Sequence, residues 1–295
     1  MFEKFVASPT VESVEKMTAC WNAWFPSDFP MDERLIRQLT FEHRSWHTNR
    51  SSVIVEKGEI CAFLIARRWQ NQTVIDAMGV APDRRRTKLG SLLLEDVLKA
   101  GPVRFGGGPA HFFPGLPVGE EWDEARAFLR YHGFEPDYEA EDLFISLDSR
   151  PPEFRSCRPE ERDAVVGMVG EEFSQRWAED TAARFHSGDH EDILIIEQEG
   201  APIAFCHSYH KGSRLLGPSV FWHRHQYENY GGIGPVGVRE SYRGQGLGKK
   251  IVEQALNYLA SRGVVETVVD WTAIGSFYEK IGFQSWRRYQ GFRKP

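Results

Sequence analysis

The sequence predicts an α/β (α+β) protein built from two copies of one structural unit, because matching segments recur in the same order in both halves. Three pairs of segments match: residues 58–63 with 200–205, residues 80–85 with 238–243, and residues 131–134 with 280–283. The first pair follows apolar runs, the second precedes amphipathic helical patterns, and the third ends a late helix. Matches in a conserved order indicate an internal repeat rather than coincidence.

This repeat predicts two domains of similar size, at residues 1–150 and 151–295. A chain of 295 residues has the length of two ordinary domains. Pro151 and Pro152 lie at the junction. A proline pair favours an extended linker, because the residue before a proline avoids the helical conformation.

The first half begins with an apolar run at residues 2–7, which predicts an opening strand. Apolar residues at helical spacing predict helices at residues 10–25 and 32–45. Two apolar runs on either side of Gly58 predict a hairpin, and a helical pattern follows at residues 89–100.

The second half repeats this order of elements. Its predicted helices and strands are a strand at 154–157, helices at 159–173 and 178–185, a hairpin around Gly200, a strand at 231–238, a helix at 247–262, a strand at 264–269 and a last helix at 274–281.

Composition and charge exclude several classes of function. The net charge is −6, from 36 basic and 42 acidic residues, and neither half is basic, so we expect no nucleic-acid partner. The four cysteines show no paired spacing, which favours reduced thiols. The sequence shows no signal peptide and no apolar run of membrane length, so we expect a cytoplasmic protein without membrane contact.

A glycine-rich turn joins an apolar strand to an amphipathic helix in the second half. The turn consists of Arg243, Gly244, Gln245, Gly246, Leu247 and Gly248. Glycines allow the backbone to approach a ligand closely. The helix that follows adds the positive end of its dipole, so the pattern predicts phosphate binding.

The spacing Arg-x-x-Gly-x-Gly after a valine-rich strand resembles the acyl-CoA pyrophosphate loop of the GNAT superfamily of N-acyltransferases. The order of elements in each half is similar to that family's fold, and the resemblance covers nearly the whole chain. It implies two tandem domains, each with a twisted mixed, mostly antiparallel sheet flanked by helices. It also implies acetyl-CoA as cosubstrate.

In GNAT proteins the strand before this loop diverges from its parallel neighbour, and the pantetheine arm of acyl-CoA pairs with the exposed backbone. The resemblance implies this role for Val236 and Val238. Glycines and Pro235 inside the predicted strand also indicate a bulge or a close backbone approach. An edge strand with a bulge and no ligand is the alternative.

Residues 277–283 resemble the family's late motif, whose tyrosine often protonates the departing thiolate of CoA, and Tyr278 is that tyrosine here. A phenol with a pKa of about 10 carries a proton at pH 7 and can donate it. A packing role for Tyr278 is the alternative. Asp270, at the end of the preceding strand, binds the cationic amine, takes its proton, or caps the next helix.

The first half lacks parts of this machinery and is therefore predicted to be a degenerate copy. Lys88 occupies the position of Gly246, so close contact between the backbone of this turn and a phosphate is in doubt. Leu129 occupies the position of Tyr278. This half is expected to shape the other half's site through an insertion at residues 106–117, either a loop over a pocket or an irregular surface loop. His111 in this insertion is more readily a surface or packing residue than a catalyst.

Aromatic residues of the first two helices are candidates for an acceptor pocket, because these helices border that site in GNAT proteins. They are Trp21, Trp24, Phe25 and Phe29, and core packing is the alternative for each. In the second half, residues 221–230 include His223, His225 and Glu228. We expect no metal there, because no other ligand set is evident and the family's chemistry needs none; a general base is the more plausible role.

The sequence therefore predicts an acetyl-CoA-dependent N-acetyltransferase that modifies a primary amine of a small molecule and is active in its C-terminal domain. Two alternatives stay open. One is a non-catalytic acyl-CoA-binding protein, against which Tyr278 argues. The other is a protein or peptide N-acyltransferase, which an open acidic groove would favour. Aromatic insertions that close the cleft favour a small acceptor.

Overall fold

The computed structural model describes residues 3–6, 11–110 and 112–295. Phe2 and Ala7, the two ends of the predicted opening strand, lie outside the described residues, and so do Thr10 and His111. The chain forms two compact units. Unit 1 is Met1–Ala140 with Arg287–Pro295, and unit 2 is Glu141–Trp286.

Up to residue 146 the chain forms seven strands and four helices within the described residues. They are β1 (Glu3–Val6), α1 (Val11–Trp24), α2 (Glu33–Leu39), β2 (Ser52–Glu56), β3 (Glu59–Trp69), β4 (Gln72–Val80), α3 (Leu89–Lys99), β5 (Val103–Phe105), β6 (Leu116–Pro117), α4 (Asp123–Tyr131) and β7 (Glu135–Ser146).

The rest of the chain repeats most of this order. Its elements are α5 (Arg162–Glu172), α6 (Gln175–Ser187), β8 (Ile193–Gln198), β9 (Ala201–His210), β10 (Tyr230–Val238), α7 (Leu247–Ser261), β11 (Glu266–Thr272), α8 (Gly275–Glu279) and β12 (Gln284–Lys294). In the described part of the chain, no helix combines the length and the apolar character needed to cross a bilayer.

Each unit contains a mixed, mostly antiparallel sheet with one parallel pair, as predicted. In unit 1, β1, β2, β3 and β4 follow one another in antiparallel order, β4 pairs in parallel with β5, and β5 pairs with β12. In unit 2, β8, β9 and β10 are antiparallel, β10 pairs in parallel with β11, and β11 pairs with β7.

Each unit takes one strand segment from the opposite half of the sequence. Glu141 to Ser146 of β7 pair with β11 in unit 2, and Phe292 to Lys294 of β12 pair with β5 in unit 1. The compact units therefore differ from a division at residue 150. The physical reason is strand pairing, which assigns a segment to the sheet that satisfies its backbone hydrogen bonds.

Both predicted hairpins are confirmed, and both use the same tight turn. Lys57 and Gly58 have φ angles of 55° and 84°, and Glu199 and Gly200 have φ angles of 53° and 78°. Two consecutive positive φ angles match the right-handed twist of the flanking strands, and glycine makes the second of them easy to adopt.

Two predicted helices are shorter than expected, and one predicted strand does not form. Helix α2 ends at Leu39, because the Thr40 hydroxyl bonds to the Ile36 carbonyl and His43 starts a separate 3-10 turn. Residues 154–157 form no strand: Ser156 makes one isolated bridge, to Leu194. The predicted helix at 274–281 is also trimmed, to Gly275–Glu279.

Trp21 belongs to the core of unit 1 rather than to a pocket. Its side chain is fully buried, its Nε1 donates to the Phe29 carbonyl at 2.7 Å, and its ring stacks on Phe25 at 4.1 Å between centroids. Phe29 is buried as well, whereas Trp24 and Phe25 keep part of their surface exposed. The acceptor-pocket prediction is thus wrong for Trp21.

In unit 2, helix α7 supplies much of the core. Its buried residues, which include Ile251, Ala255 and Leu259, pack against Ala204 of β9 and Ile233 of β10. One apolar face of α7 therefore fixes the strand that precedes the glycine-rich turn.

Replacing Trp21 with Ala should destabilise unit 1 by about 3–5 kcal/mol, because it removes a fully buried indole and leaves a cavity. Urea unfolding followed by circular dichroism measures the change. Trp24→Ala is the matched control and should cost less, because Trp24 is half-exposed. Equal losses for the two variants would contradict the core assignment.

Candidate active site

The glycine-rich turn of unit 2 has a backbone that only a few residue types adopt without cost. Gly244 and Gly246 have φ angles of 78° and 79°, in the left-handed region. A Cβ atom built at either position meets nothing within 4 Å. These glycines therefore serve the backbone conformation and leave open space beside it, directly before the first residue of α7, Leu247.

The other members of the turn have different contacts. Arg243 is exposed, and its Nε donates to the Val238 carbonyl at 3.1 Å. Gln245 is exposed, and Leu247 is half-buried. A Cβ at Gly248 would make an ordinary van der Waals contact with the Phe277 ring, at 3.4 Å, so the packing of α7 against α8 does not itself require glycine here.

Strand β10 leaves its parallel neighbour before it reaches the turn. Its pairing with β11 ends at Ile233 and Val269, although β10 continues to Val238. On the other side, β10 stays paired with β9 through Val238, with a register shift between Ile233 and Val236. The end of β10 therefore has one edge that β11 does not cover.

Val236 and Val238 direct their backbone groups toward that edge. Arg239 donates its N–H to the Ile203 carbonyl at 2.9 Å, so this pair is hydrogen-bonded across the β9 ladder. Bonded and non-bonded pairs alternate in antiparallel sheets. Gly237 is consequently bonded to β9, whereas the backbone groups of Val236 and Val238 point the opposite way. The predicted bulge is observed as the register shift between Ile233 and Val236.

Tyr278 lies in the core of unit 2. Its side chain is 5% exposed, and its ring packs against Phe277 and Phe283 with centroids 4.9 and 5.5 Å away. Burial raises the pKa of the phenol above its ordinary value, with smaller contributions from Cys206 and Asp270. The phenol therefore carries its proton throughout the physiological pH range.

Asp270 is half-buried near the point where β10 and β11 separate. Its Oδ1 lies 3.4 Å from a Cβ built at Gly234, the residue after the last paired position of β10. Burial raises the pKa of Asp270 to about 8, the charge of Asp142 adds to this, and Arg176 opposes it. The helix-cap alternative is not observed: the Thr272 hydroxyl accepts the N–H of Ile274 at 3.0 Å.

Asp142 and Trp271 are parts of this site that sequence reasoning missed. The register of β11 and β7 shifts between Val269 and Thr272, so Asp270 and Trp271 form a bulge. Trp271 has a φ of 45°, rare for a bulky residue, and donates its N–H to Asp142 Oδ1 at 3.0 Å. No sequence signal pointed to Asp142, because it belongs to a strand of the opposite half.

Arg176 and Tyr209 complete the surroundings of Asp270. The Arg176 guanidinium lies 5.6 Å from the centroid of the Trp271 ring. Burial raises the pKa of Tyr209, and the charge of Asp270 is among the smaller causes. The Asp270 carboxyl group therefore interacts electrostatically with the Tyr209 phenol and with the Arg176 guanidinium, which come from two other elements.

The histidines of the long insertion do not share a face. Residues 223–225 form a 3-10 turn, so the two histidines do not alternate as in a strand. His223 is buried against Tyr227 and Trp286, and His225 is exposed. Within residues 3–6, 11–110 and 112–295, no three His, Cys, Asp or Glu side chains come together as a metal site would require.

The corresponding turn of unit 1 keeps the same backbone despite its different residues. Arg86 and Lys88 have φ angles of 65° and 69°, matching Gly244 and Gly246. A left-handed conformation costs a non-glycine residue roughly 1–2 kcal/mol. Unit 1 also contains a cavity of about 830 Å³, which lies beside this turn.

A model of the Acetyltransferase (GNAT) family matches the chain twice, at residues 15–134 and 162–283. Among curated proteins, N-alpha-acetyltransferase 30 of Schizosaccharomyces pombe (strain 972 / ATCC 24843) is 39% identical over 62 residues. That match covers 20% of this chain and 41% of the relative.

Solved structures with the same fold cover the whole chain. A GCN5-related glucosamine N-acetyltransferase region of a fungal multi-domain GH3 beta-N-acetylglucosaminidase matches with a TM-score of 0.87 and 22% identity, over 100% of this chain and 38% of that one. A GCN5-related N-acetyltransferase from Sphaerobacter thermophilus matches with a TM-score of 0.70 and 19% identity, over 99% and 95%. A tandem GNAT protein from the clavulanic acid biosynthesis pathway matches with a TM-score of 0.66 and 13% identity, over 100% and 98%.

The chain spans about two-fifths of the length of the curated relative and of the fungal protein that it matches, 41% and 38% respectively. At these identities the solved structures establish the fold alone.

Asp270→Asn should change how stability depends on pH. An unfolded Asp titrates near pH 3.9, whereas the folded pKa of Asp270 is about 8. Between these values the folded protein holds a proton that the unfolded chain releases, so the Asp270 contribution to the free energy of unfolding falls as pH rises. The variant lacks this penalty and should gain stability relative to wild type between pH 5 and pH 9.

Urea unfolding of the wild-type protein and of Asp270→Asn at pH 5 and at pH 9 measures this difference in the free energy of unfolding. Asp163→Asn is the control, because the Asp163 side chain is 91% exposed. A wild-type-to-variant difference for Asp270→Asn that stays constant with pH would contradict the raised pKa.

Proposed function

The chain belongs to the GNAT acetyltransferase family, and from this premise we propose that unit 2 transfers an acetyl group from acetyl-CoA to a primary amine of a small molecule. The observation that carries the proposal is the position of Asp270 and Tyr278. Asp270 lies where β10 separates from β11, and its charge is one of the smaller causes that raise the pKa of Tyr278. Asp270 is therefore the candidate proton acceptor beside the uncovered edge of β10, and Tyr278 is the candidate proton donor within its electrostatic reach.

Two features of unit 2 support acetyl-CoA as the cosubstrate. Its diphosphate would lie at the turn from Arg243 to Gly248, where the α7 N-terminus carries no acidic residue in its first turn. Its pantetheine arm would pair with the backbone groups of Val236 and Val238, which β11 leaves uncovered. Acetyl-CoA supplies the acetyl group as a reactive thioester.

Asp270 is suited to take the proton from the acceptor amine. An amine attacks a thioester only when it is uncharged, so a group that removes its proton near neutral pH promotes the reaction. The raised pKa of Asp270, about 8, matches that task. The backbone N–H of Val238 on β10 would stabilise the negative charge that develops on the carbonyl oxygen.

Tyr278 would protonate the departing sulfur. Its phenol remains protonated because burial raises its pKa. A buried donor also excludes water from the thioester, and holding amine and thioester together supplies much of the rate.

The insertion between β9 and β10 favours a small acceptor. Its residues Leu216, Val220, Phe221 and Trp222 are buried, so the segment is a packed part of unit 2 rather than a loose loop. The fungal protein of similar fold is described as a glucosamine N-acetyltransferase, which puts amino sugars first among candidate acceptors. The name of the Schizosaccharomyces pombe relative supports a second candidate, a protein N-terminus.

An acetyl-CoA consumption assay with a panel of amines tests the function. The panel contains amino sugars, aminoglycosides, polyamines, amino acids and short peptides with free N-termini. Turnover with a small amine supports the proposal, and turnover confined to peptides supports the second candidate. Binding of acetyl-CoA without turnover of any amine would make unit 2 a non-catalytic acyl-CoA-binding domain.

Tyr278→Phe should lower kcat by about 100-fold and leave the affinity for acetyl-CoA nearly unchanged, because loss of a general acid costs a factor of this size. Steady-state kinetics and calorimetry measure the two quantities. Tyr227→Phe, at an exposed tyrosine, is the control and should behave as wild type. Full activity of Tyr278→Phe would remove Tyr278 as the proton donor.

Gly246→Val should weaken acetyl-CoA binding to unit 2 by at least ten-fold (order of magnitude), because it puts a branched side chain beside the backbone that faces the diphosphate. Gly263→Val is a matched control: Gly263 also has a φ of 79° and open surroundings, but lies after the end of α7. Calorimetry compares the two. Equal affinities would contradict the assignment of the turn.

A further inference from the structure

Unit 2 contains a buried carboxyl group that the proposed reaction does not use. Asp192 lies in the turn between α6 and β8 and is 5% exposed. Its Oδ1 accepts from the Tyr258 hydroxyl at 2.6 Å and from His210 Nε2 at 3.1 Å. Its Oδ2 accepts from the Ser213 hydroxyl at 2.7 Å and pairs with Arg184 Nη2 at 3.1 Å. Side chains of α7, β9, α6 and the insertion between β9 and β10 thus meet at one carboxylate.

These partners keep Asp192 ionised. Burial by itself would raise the pKa of this carboxyl group. The hydrogen bond from His210, the charge of Arg184 and two further hydrogen bonds together hold the pKa below its ordinary value. Gly212 donates its N–H to His210 Nδ1 at 3.0 Å, so the ring proton is on Nε2, where Asp192 accepts it. Hydrogen bonds to a charged group are stronger than neutral ones, so Asp192 holds its partners firmly.

Asp189 anchors the next residues of the same insertion. It is buried three positions before Asp192 and accepts the N–H groups of Arg214 at 3.0 Å and of Leu215 at 2.8 Å. Since Ser213 is bound to Asp192, two carboxyl groups hold three consecutive residues. The start of the insertion is therefore tied to the segment that follows α6.

Both ends of this arrangement contact Tyr209 on β9. The guanidinium of Arg184, which pairs with Asp192, lies 4.4 Å from the centroid of the Tyr209 ring. A Cβ built at Gly217, two residues after the anchored stretch, would lie 2.2 Å from Tyr209 Cζ. Gly217 has an ordinary φ of −93°, so the contact with the ring, and not the backbone conformation, requires glycine here. Asp192 and the insertion therefore fix the position of one phenol.

Tyr209 lies beside the candidate proton acceptor. It pairs with Gly232 of β10, and a Cβ built at Gly234, two residues further along, would lie 3.4 Å from Asp270 Oδ1. The insertion covers Gly232 closely, because a Cβ built there would lie 2.3 Å from Ser219 Oγ. Burial raises the pKa of Tyr209 most, and the charge of Asp270 adds to it. Tyr209 and the insertion therefore form one side of the surroundings of Asp270.

We propose that Asp192 is a positioning residue that fixes the acceptor side of the unit 2 site. Through Arg184 and Ser213 it holds Tyr209 and the insertion beside the candidate proton acceptor. The proposal rests on the acetyl transfer proposed for unit 2 and adds the residues that order its surroundings before the amine binds. Groups that are already ordered lower the entropy cost of binding. The glycine-rich turn contributes no residue to this network, so its loss should affect the amine and not acetyl-CoA.

Gly217→Ala tests the contact with Tyr209, because the added methyl group must displace the ring or the insertion. It should raise KM for the amine that the wild-type protein acetylates by about ten-fold and leave the affinity for acetyl-CoA unchanged. Gly167→Ala on α5 is the control, because a Cβ there meets nothing within 4 Å. An unchanged KM in folded Gly217→Ala, or equal effects of the two variants, would overturn the proposal.

Ser213→Ala tests the anchor itself and should also raise KM for the amine about ten-fold, because it removes a hydrogen bond to a charged group. Ser187→Ala is the matched control: its hydroxyl donates to the Arg184 carbonyl at 3.1 Å and does not touch the insertion. In combination with Asp192→Asn, Ser213→Ala should add little, since it acts through Asp192. Fully additive effects, or equal effects of the two serine variants, would contradict this role.

Hydrogen–deuterium exchange of the full-length protein tests the anchor without an amine. Asp192→Asn should speed the exchange of amides at residues 212–222, and Ser187→Ala should not. Unchanged exchange in Asp192→Asn would disprove the anchor, and faster exchange with an unchanged KM would disprove the positioning role. A wild-type protein that acetylates no amine would overturn the proposed function as well, whereas variants that match an active wild type would overturn the positioning role alone. Near-ultraviolet circular dichroism checks that each variant is folded.

Discussion

The site in unit 2 depends on one constraint, the end of the parallel pairing between β10 and β11 at Ile233 and Val269. Up to that pair, the backbone groups of both strands are satisfied within the sheet. Beyond it, the backbone groups of Val236 and Val238 lie on an edge that β11 does not cover, and there the Val238 carbonyl accepts from Arg243 Nε. Backbone groups that leave a sheet require partners of this kind. The packing of α7 on Ile233 holds the strand at this point. The same break recurs in unit 1 after Ile75, which is why both units present an edge suited to an extended ligand.

A second consequence of strand pairing is the environment of Asp270. The pairing of β11 with β7 puts Asp142 opposite the bulge of Asp270 and Trp271. Burial is the largest cause of the raised pKa of Asp270, and the nearby Asp142 carboxylate adds to it, because two neighbouring carboxyl groups do not both ionise easily. The Trp271 N–H binds one of them, which offsets part of the cost of the left-handed Trp271 backbone. Burial, charge and backbone conformation thus act together at one residue.

The two units show that a sequence motif and the geometry it stands for are separable. Unit 1 lacks the glycine of the motif, yet Arg86 and Lys88 hold the same left-handed backbone as Gly244 and Gly246. Surrounding structure can impose a strained conformation that the residue type disfavours. The motif alone therefore predicts a degenerate half, although unit 1 keeps the backbone of the turn and has a cavity beside it.

The sequence by itself determined the repeat, the two hairpins and most of the order of strands and helices, because turn chemistry and apolar periodicity are local signals. The candidates Asp270 and Tyr278 came instead from the resemblance of their segments to motifs of the GNAT family. Tertiary structure alone decided which strands join each unit, that Asp142 lies beside Asp270, that Trp21 is core, and that unit 1 contains a cavity. These features arise from contacts between residues far apart in the chain, such as Asp142 with Trp271, and no local pattern encodes the register of such a pairing.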